Sequence, residues 1–210
     1  MTVRVMKSIG GWMAVMVLVA LLGYAVMAGY LYLFQNSMVF HPRRGLDATP
    51  TQWGMPFENA EFLSEGHLIH GWLIPGDVGK PLIMFFHGNA SVLSSLRAHT
   101  ELFRRLGLGV FLFDYRGYGL SEGDPTEEGV YADSLAALEY LTQTRHFSLD
   151  GVVYFGQSLG GGAATWLASK HPPKALILEG TFTSVPDVAA DIYPYLPVRL
   201  MSQISFDNLT

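Results

Sequence analysis

Five consecutive residues, Gly156-Gln157-Ser158-Leu159-Gly160, set a serine between glycines in the G-x-S-x-G pattern. The chemistry that spacing suits is nucleophilic acyl transfer, because a tight strand-to-helix turn that lifts a hydroxyl clear of a sheet is crowded and tolerates only small neighbours. With 23 glycines in 210 residues the bare pattern arises easily by chance, so its setting decides. The setting agrees. The apolar run from Gly151 to Phe155 precedes the motif and reads as a strand, and Leu159 to Lys170, opened by Gly160, Gly161 and Gly162, reads as a helix. Ser158 is therefore the predicted nucleophile.

Acyl transfer also needs two backbone N–H donors aimed at the oxygen that becomes negative. In elbow-type sites one follows the nucleophile and the other comes from an upstream loop. The apolar run Pro81 to Phe86 ends at His87-Gly88-Asn89-Ala90, where such a loop belongs. We assign the donors to Leu159 and Asn89, with an ordinary turn residue as the alternative for Asn89.

These residues need a scaffold, and the apolar pattern describes one. Ala60 to Leu63 and Leu68 to Ile74 read as two short strands joined by a turn at Glu65-Gly66. The runs at 81–86, 109–113, 151–155 and 175–178 are continuously apolar, as expected of strands buried on both faces of a parallel sheet. Helical segments alternate with them. Val92 to Leu106 carries Leu96, Phe103 and Leu106 on one face before Gly107, and Thr126 is placed to cap a helix that shares Val130, Ala137, Leu138 and Leu141 on one side. The alternation predicts an α/β sheet. No repeat or low-complexity tract interrupts it.

Ahead of this domain, Ile9 to Phe34 runs about 26 residues without a charge, enough to cross a hydrocarbon core of about 30 Å as a helix. A cleaved signal peptide is the alternative, with Val26-Met27-Ala28 as its site, but the apolar run continues past that point to Phe34. Arg4 and Lys7 before the span nearly balance Arg43 and Arg44 after it, which leans toward an N-terminus inside and a hydrolytic domain outside the cytoplasm. The predicted organisation is a tail at 1–8, a transmembrane helix at 9–34, a connector at 35–57 and the α/β domain at 58–210, in which 180–205 forms a cap.

Composition narrows the partners. The net charge of −5, without a basic run, excludes nucleic acid. With no cysteine there is no disulfide, thiolate metal site or cysteine nucleophile, and no metal or organic cofactor is implied. The expected partners are an acyl or other small-molecule substrate and the bilayer. Oligomeric state is left open.

The motifs His87-Gly88-Asn89-Ala90, Asp114-Tyr115-Arg116-Gly117-Tyr118-Gly119 with Ser121, and Gly156-Gln157-Ser158-Leu159-Gly160-Gly161 together resemble the α/β-hydrolase superfamily, most closely its serine-aminopeptidase-like branch. The N-terminal span, the Gln35-to-Pro42 juncture and Glu179-Gly180-Thr181-Phe182-Thr183-Ser184 are further similar to the membrane-anchored ABHD-type and Bem-type hydrolases. The likeness covers nearly the whole chain. It implies an α/β-hydrolase fold, a mostly parallel sheet flanked by helices, with an esterase, thioesterase, lipase or peptidase activity. It also implies that Asp114 and Arg116 shape the edge of the site without entering the chemistry.

In this fold the triad runs Ser, then Asp or Glu, then His along the chain, which sets His87 aside as the base. His171 is the only histidine after Ser158, and a helix from 159 to 170 would hold it about 18 Å away. Glu179, Asp187, Asp191 and Asp207 are the acids available, and none is persuasive. The fold is thus expected to be C-terminally incomplete, with the triad Asp and His beyond Thr210, and the 210-residue chain to be nearly inactive. The alternative is a catalytically silent, membrane-anchored binding protein that keeps the fold.

Overall fold

The computed structural model describes residues 2–209. Helix α1 spans Thr2–Leu33, taking in the segment expected as a tail, and its Gly11–Leu33 portion is long and apolar enough to cross a membrane. At 1.5 Å per residue those 23 residues reach about 35 Å. Side chains from residue 11 to Leu33 are mostly exposed. The side chains of Arg4 and Lys7, on which the orientation expectation rests, lie outside the described residues. After a break at Phe34 the chain makes a short helix, α2 (Gln35–Val39).

The connector is stitched to the domain. Arg44 bridges Gly119, and its guanidinium donates to the carbonyls of Ser121 and Gly123, both at 2.8 Å. Trp53 and Phe57 then pack edge-on against Trp72. Strands β1 (Glu58–Ser64) and β2 (His67–Ile74) form the expected hairpin, turned through Glu65 and Gly66, both at positive φ as a type I′ turn requires.

Strands β3 (Leu82–Phe86), β4 (Gly109–Phe113), β5 (Val152–Gln157) and β6 (Ala175–Glu179) complete a six-stranded sheet in the order β1-β2-β4-β3-β5-β6. Only the hairpin and the β2–β4 pairing are antiparallel. Along β3, β4 and β5, alternate residues serve opposite faces. Ile83, Phe85, Val110, Leu112, Val153 and Phe155 pack toward α3 (Arg97–Arg105), whereas Met84, Phe86, Phe111, Phe113 and Tyr154 pack toward α4 (Glu127–Glu139) and α5 (Leu159–Lys170). Both faces being covered is why these strands read as unbroken apolar runs. Strand β6 differs: it is the sheet edge, and Leu176, Ile177 and Leu178 are 37%, 44% and 40% exposed.

The helix expected at 92–106 is shorter and starts later. Residues Leu93–Leu96 form a 3-10 turn before α3, and Leu106 is exposed because the chain is already leaving the helix toward Gly107. Thr126 caps α4 by accepting from the Gly129 N–H at 3.0 Å. The segment expected as a cap, 180–205, holds α6 (Val185–Ile192) and α7 (Val198–Met201). The segment after α7 returns over α4, where the Glu127 carboxylate accepts from the N–H groups of Ser205 and Phe206 at 2.6 and 2.7 Å. Phe206 is fully buried against Phe40 and Tyr131.

Candidate active site

Ser158 occupies the turn between β5 and α5 with φ 51° and ψ −119°, a conformation that strains a residue carrying a Cβ. Crowding enforces it. A Cβ on Gly160 would collide with the Phe86 carbonyl, and one on Gly156 would lie 2.7 Å from the Gly161 Cα. The turn is also tied to the end of β6. The Ser158 N–H donates to the Glu179 carbonyl at 3.0 Å, and the Thr181 hydroxyl donates to the Ser158 carbonyl at 2.9 Å. The backbone is thus pinned while the hydroxyl borders a cavity of about 390 Å³. Among the described residues none hydrogen-bonds to that hydroxyl.

Asn89 and Leu159 border the same cavity. Among the described residues neither backbone N–H has an acceptor, which suits both to an incoming oxyanion. The Asn89 side chain has a further role that residue spacing gave no sign of. Its Oδ1 accepts from the His41 N–H at 2.9 Å, the Tyr118 hydroxyl at 2.8 Å and the Ala90 N–H at 3.1 Å, while its Nδ2 donates to the Val39 carbonyl. It fastens the loop after β3 to the connector and to the Tyr118 loop. The signal available in the sequence was the residue type alone, since asparagine carries both donors and acceptors.

His87 lies behind this loop, 1% exposed. Its Nδ1 donates to the Gly88 carbonyl at 2.9 Å, and Nε2 stands 3.6 Å from Asp114 Oδ1. Burial lowers its pKa to about 4 and raises that of the Asp114 carboxyl well above the ordinary value, against the Leu93 N–H that donates to Oδ1. Burial thus disfavours the charged form of each, and among the described residues neither His87 Nε2 nor Asp114 Oδ2 has a hydrogen-bond partner. This is a packed support of the loop. Asp114 and Arg116 do not pair with each other. The Arg116 guanidinium binds Asp133 of α4 at 2.8 Å and Glu65 of the hairpin turn at 3.1 Å.

Glu179 and Asp187 are engaged with other partners, and His171 is remote. His171 follows the far end of α5. Glu179 accepts from Gln157 Nε2 at 2.8 Å and pairs with His99 Nε2 at 3.1 Å, a contact across 80 residues that motif spacing cannot show. Asp187 accepts from the Thr183 hydroxyl at 2.7 Å, which with its other bonds lowers its pKa, and it pairs with Arg199 at 3.1 Å, so it staples the cap.

The cavity is overwhelmingly apolar in its lining. One wall comes from α6 and α7 with the intervening turn, including Val188, Ile192 and Leu196, and the facing wall from Leu31, Tyr32 and Met38 of α1 and α2. The C-terminal end of α1 thus lines the same cavity as Ser158.

Residues 81–208 match the family profile described as the alpha/beta hydrolase fold. The alpha/beta hydrolase domain-containing protein WAV2 of Arabidopsis thaliana is 35% identical over 187 residues, 83% of this chain and 61% of that protein. An uncharacterised membrane protein of Saccharomyces cerevisiae is 32% identical over 175 residues, 79% of this chain and 61% of that protein. A Pyrococcus furiosus esterase structure superposes with a TM-score of 0.62 at 20% identity, covering 77% of this chain and 64% of that one, a likeness of fold. The chain spans 49% to 61% of the length of the curated relatives it matches.

Proposed function

Since this chain belongs to the α/β-hydrolase family, we propose that it is a membrane-anchored serine hydrolase cleaving ester, thioester or amide bonds through an acyl-enzyme at Ser158. The observation that carries this reading is the Ser158 backbone at φ 51°, held in a crowded turn with its hydroxyl toward the cavity that the Asn89 and Leu159 backbones also border. The Ser158 oxygen attacks the acyl carbon, and the Asn89 and Leu159 N–H groups donate to the oxyanion that forms. The acyl group stays on Ser158 as an ester, and the serine proton ends on the departing alcohol, thiol or amine. Water then adds to the acyl-enzyme, releasing the carboxylic acid and restoring the hydroxyl.

Helix α1 is the proposed single-pass anchor, with the N-terminus inside and the catalytic domain on the extracytoplasmic side. External protease acting on intact cells or spheroplasts should then digest the domain, and protection would reverse the orientation.

The chemistry is tested by treating membranes that hold the whole gene product with a fluorophosphonate probe. The unaltered protein should be labelled and Ser158→Ala should not. Labelling that survives the substitution means another nucleophile. No labelling of the unaltered protein favours the silent binder.

A further inference from the structure

The cavity at Ser158 is shared between the membrane anchor and the cap, and one contact between these two elements lies well before the C-terminal end of α1. The Tyr24 hydroxyl donates to the Tyr195 carbonyl at 3.1 Å, and Tyr24 precedes the end of α1 by nine residues, at most about 14 Å of depth. A hydroxyl and a carbonyl placed in hydrocarbon each need a partner, and here each is the other's. Nearer the exit, Gln35 donates to the Met201 carbonyl at 3.1 Å and accepts from the Gln203 N–H at 2.7 Å. The cap is therefore fastened to α1 at Tyr24 and to α2 at Gln35.

The cap surface beside α1 is apolar. Tyr195 and Leu200 are both 90% exposed and Ile192 is 62% exposed, with Pro194 and Pro197 between them. Tyrosine is a residue of the membrane interface, and an amphipathic element buries its apolar face about 5–10 Å into that boundary. Asp191 and the Arg199–Asp187 pair flank this apolar tip and limit how far it sinks. Behind it, the cavity runs between the two elements to Ser158.

We infer that the α6–α7 cap dips into the leaflet beside α1, and that the cavity takes the acyl chain of a bilayer lipid admitted from the membrane between them. Its status as substrate rests on the serine-hydrolase reading. The occupant follows from the placement: an apolar cavity walled by the membrane-exit end of a spanning helix opens among acyl chains, and Ser158 at its inner end meets the carbonyl that joins chain to headgroup.

The chain has no cysteine, so single labels can be placed freely. In phosphatidylcholine vesicles, an environment-sensitive fluorophore on Leu200→Cys should be quenched by lipids brominated along the acyl chain several-fold more than one on the fully exposed Val78→Cys. Equal quenching at the two sites, or quenching at Leu200→Cys by aqueous iodide as strong as at Val78→Cys, overturns the inference. The occupant is tested with Ser158→Ala protein in vesicles containing a phosphatidylcholine whose acyl chain bears a diazirine. Cross-links should map to residues lining the cavity, such as Tyr32, Val188 and Ile192. Absent cross-links, cross-links elsewhere, or equal cross-linking by a water-soluble acyl diazirine without vesicles would overturn it. Fluorophosphonate labelling reads the serine separately. Labelling with no cross-link sinks this inference alone, whereas cross-linking with no labelling sinks the serine chemistry alone.

Discussion

At Ser158 the local forces in this molecule conflict. Ser158 keeps a positive φ that a Cβ disfavours by about 1–3 kcal/mol, held by its bonds to Glu179 and Thr181. Ser158→Gly should therefore raise stability by about 1 kcal/mol, after allowing for the greater chain entropy of glycine, while abolishing labelling. Denaturant unfolding measures the first, and a loss of stability would show that the turn is relaxed. Gly160→Ala should do the opposite, destabilising by about 1–3 kcal/mol because the added methyl meets the Phe86 carbonyl. Asn89→Ala keeps the backbone N–H but frees its loop from Val39, His41 and Tyr118, so labelling should slow although the donor is still present. Unchanged labelling kinetics would mean that the side chain does not position the loop.

His87 adds a pH signature at the same scale. Its pKa, lowered from 6.5 to about 4, means that the unfolded chain binds its proton first as the medium is acidified. Its contribution to stability is complete above pH 6.5 and is lost between there and about pH 4. Asp114, raised by burial, works in the reverse sense, favouring the fold at low pH and losing that contribution as pH climbs through its folded value. His87→Gln should thus flatten the loss of stability between pH 6.5 and 4, whatever it does to the absolute value. Parallel stability curves for the two proteins in that window would contradict the buried neutral imidazole.

Between elements, long-range bonds hold what periodicity cannot place. The Glu127 carboxylate at the start of α4 accepts two backbone N–H groups from the returning segment and the Tyr131 hydroxyl at 2.7 Å. Glu127→Ala should cost about 1–3 kcal/mol and expose the 202–209 segment to protease, since both N–H groups lose their acceptor. At one edge of the sheet, the exposed apolar residues of β6 offer an unpaired strand in the 210-residue chain. Ile177→Lys should reduce self-association of that chain on size exclusion, and an unchanged elution profile would place the association elsewhere.

At the scale of the whole molecule, the helix proposed as the anchor is also a cavity wall. Its apolar length predicts that the protein stays in the membrane pellet after alkaline carbonate. A release into the supernatant would contradict a spanning α1. Removal of residues 2–33 should free the domain and strip Leu31 and Tyr32 from the site.

The runs at β3, β4 and β5 were legible in the sequence because a strand buried on both faces must be apolar throughout, and α5 because glycines opened it directly after such a run. The position of Ser158 between strand and helix followed from those two neighbours, and the uncharged stretch from Ile9 to Phe34 announced the long apolar helix α1. Local order along the chain carried all of this. The tertiary structure alone decided that Asn89 fastens Val39, that Arg116 meets Asp133 instead of Asp114, that Glu179 meets His99, and that Leu31 and Tyr32 face Ser158 across one cavity. These contacts join residues from 17 to well over 100 positions apart, and side-chain pairings at such separations are chosen by how layers pack, which no periodicity within one element records.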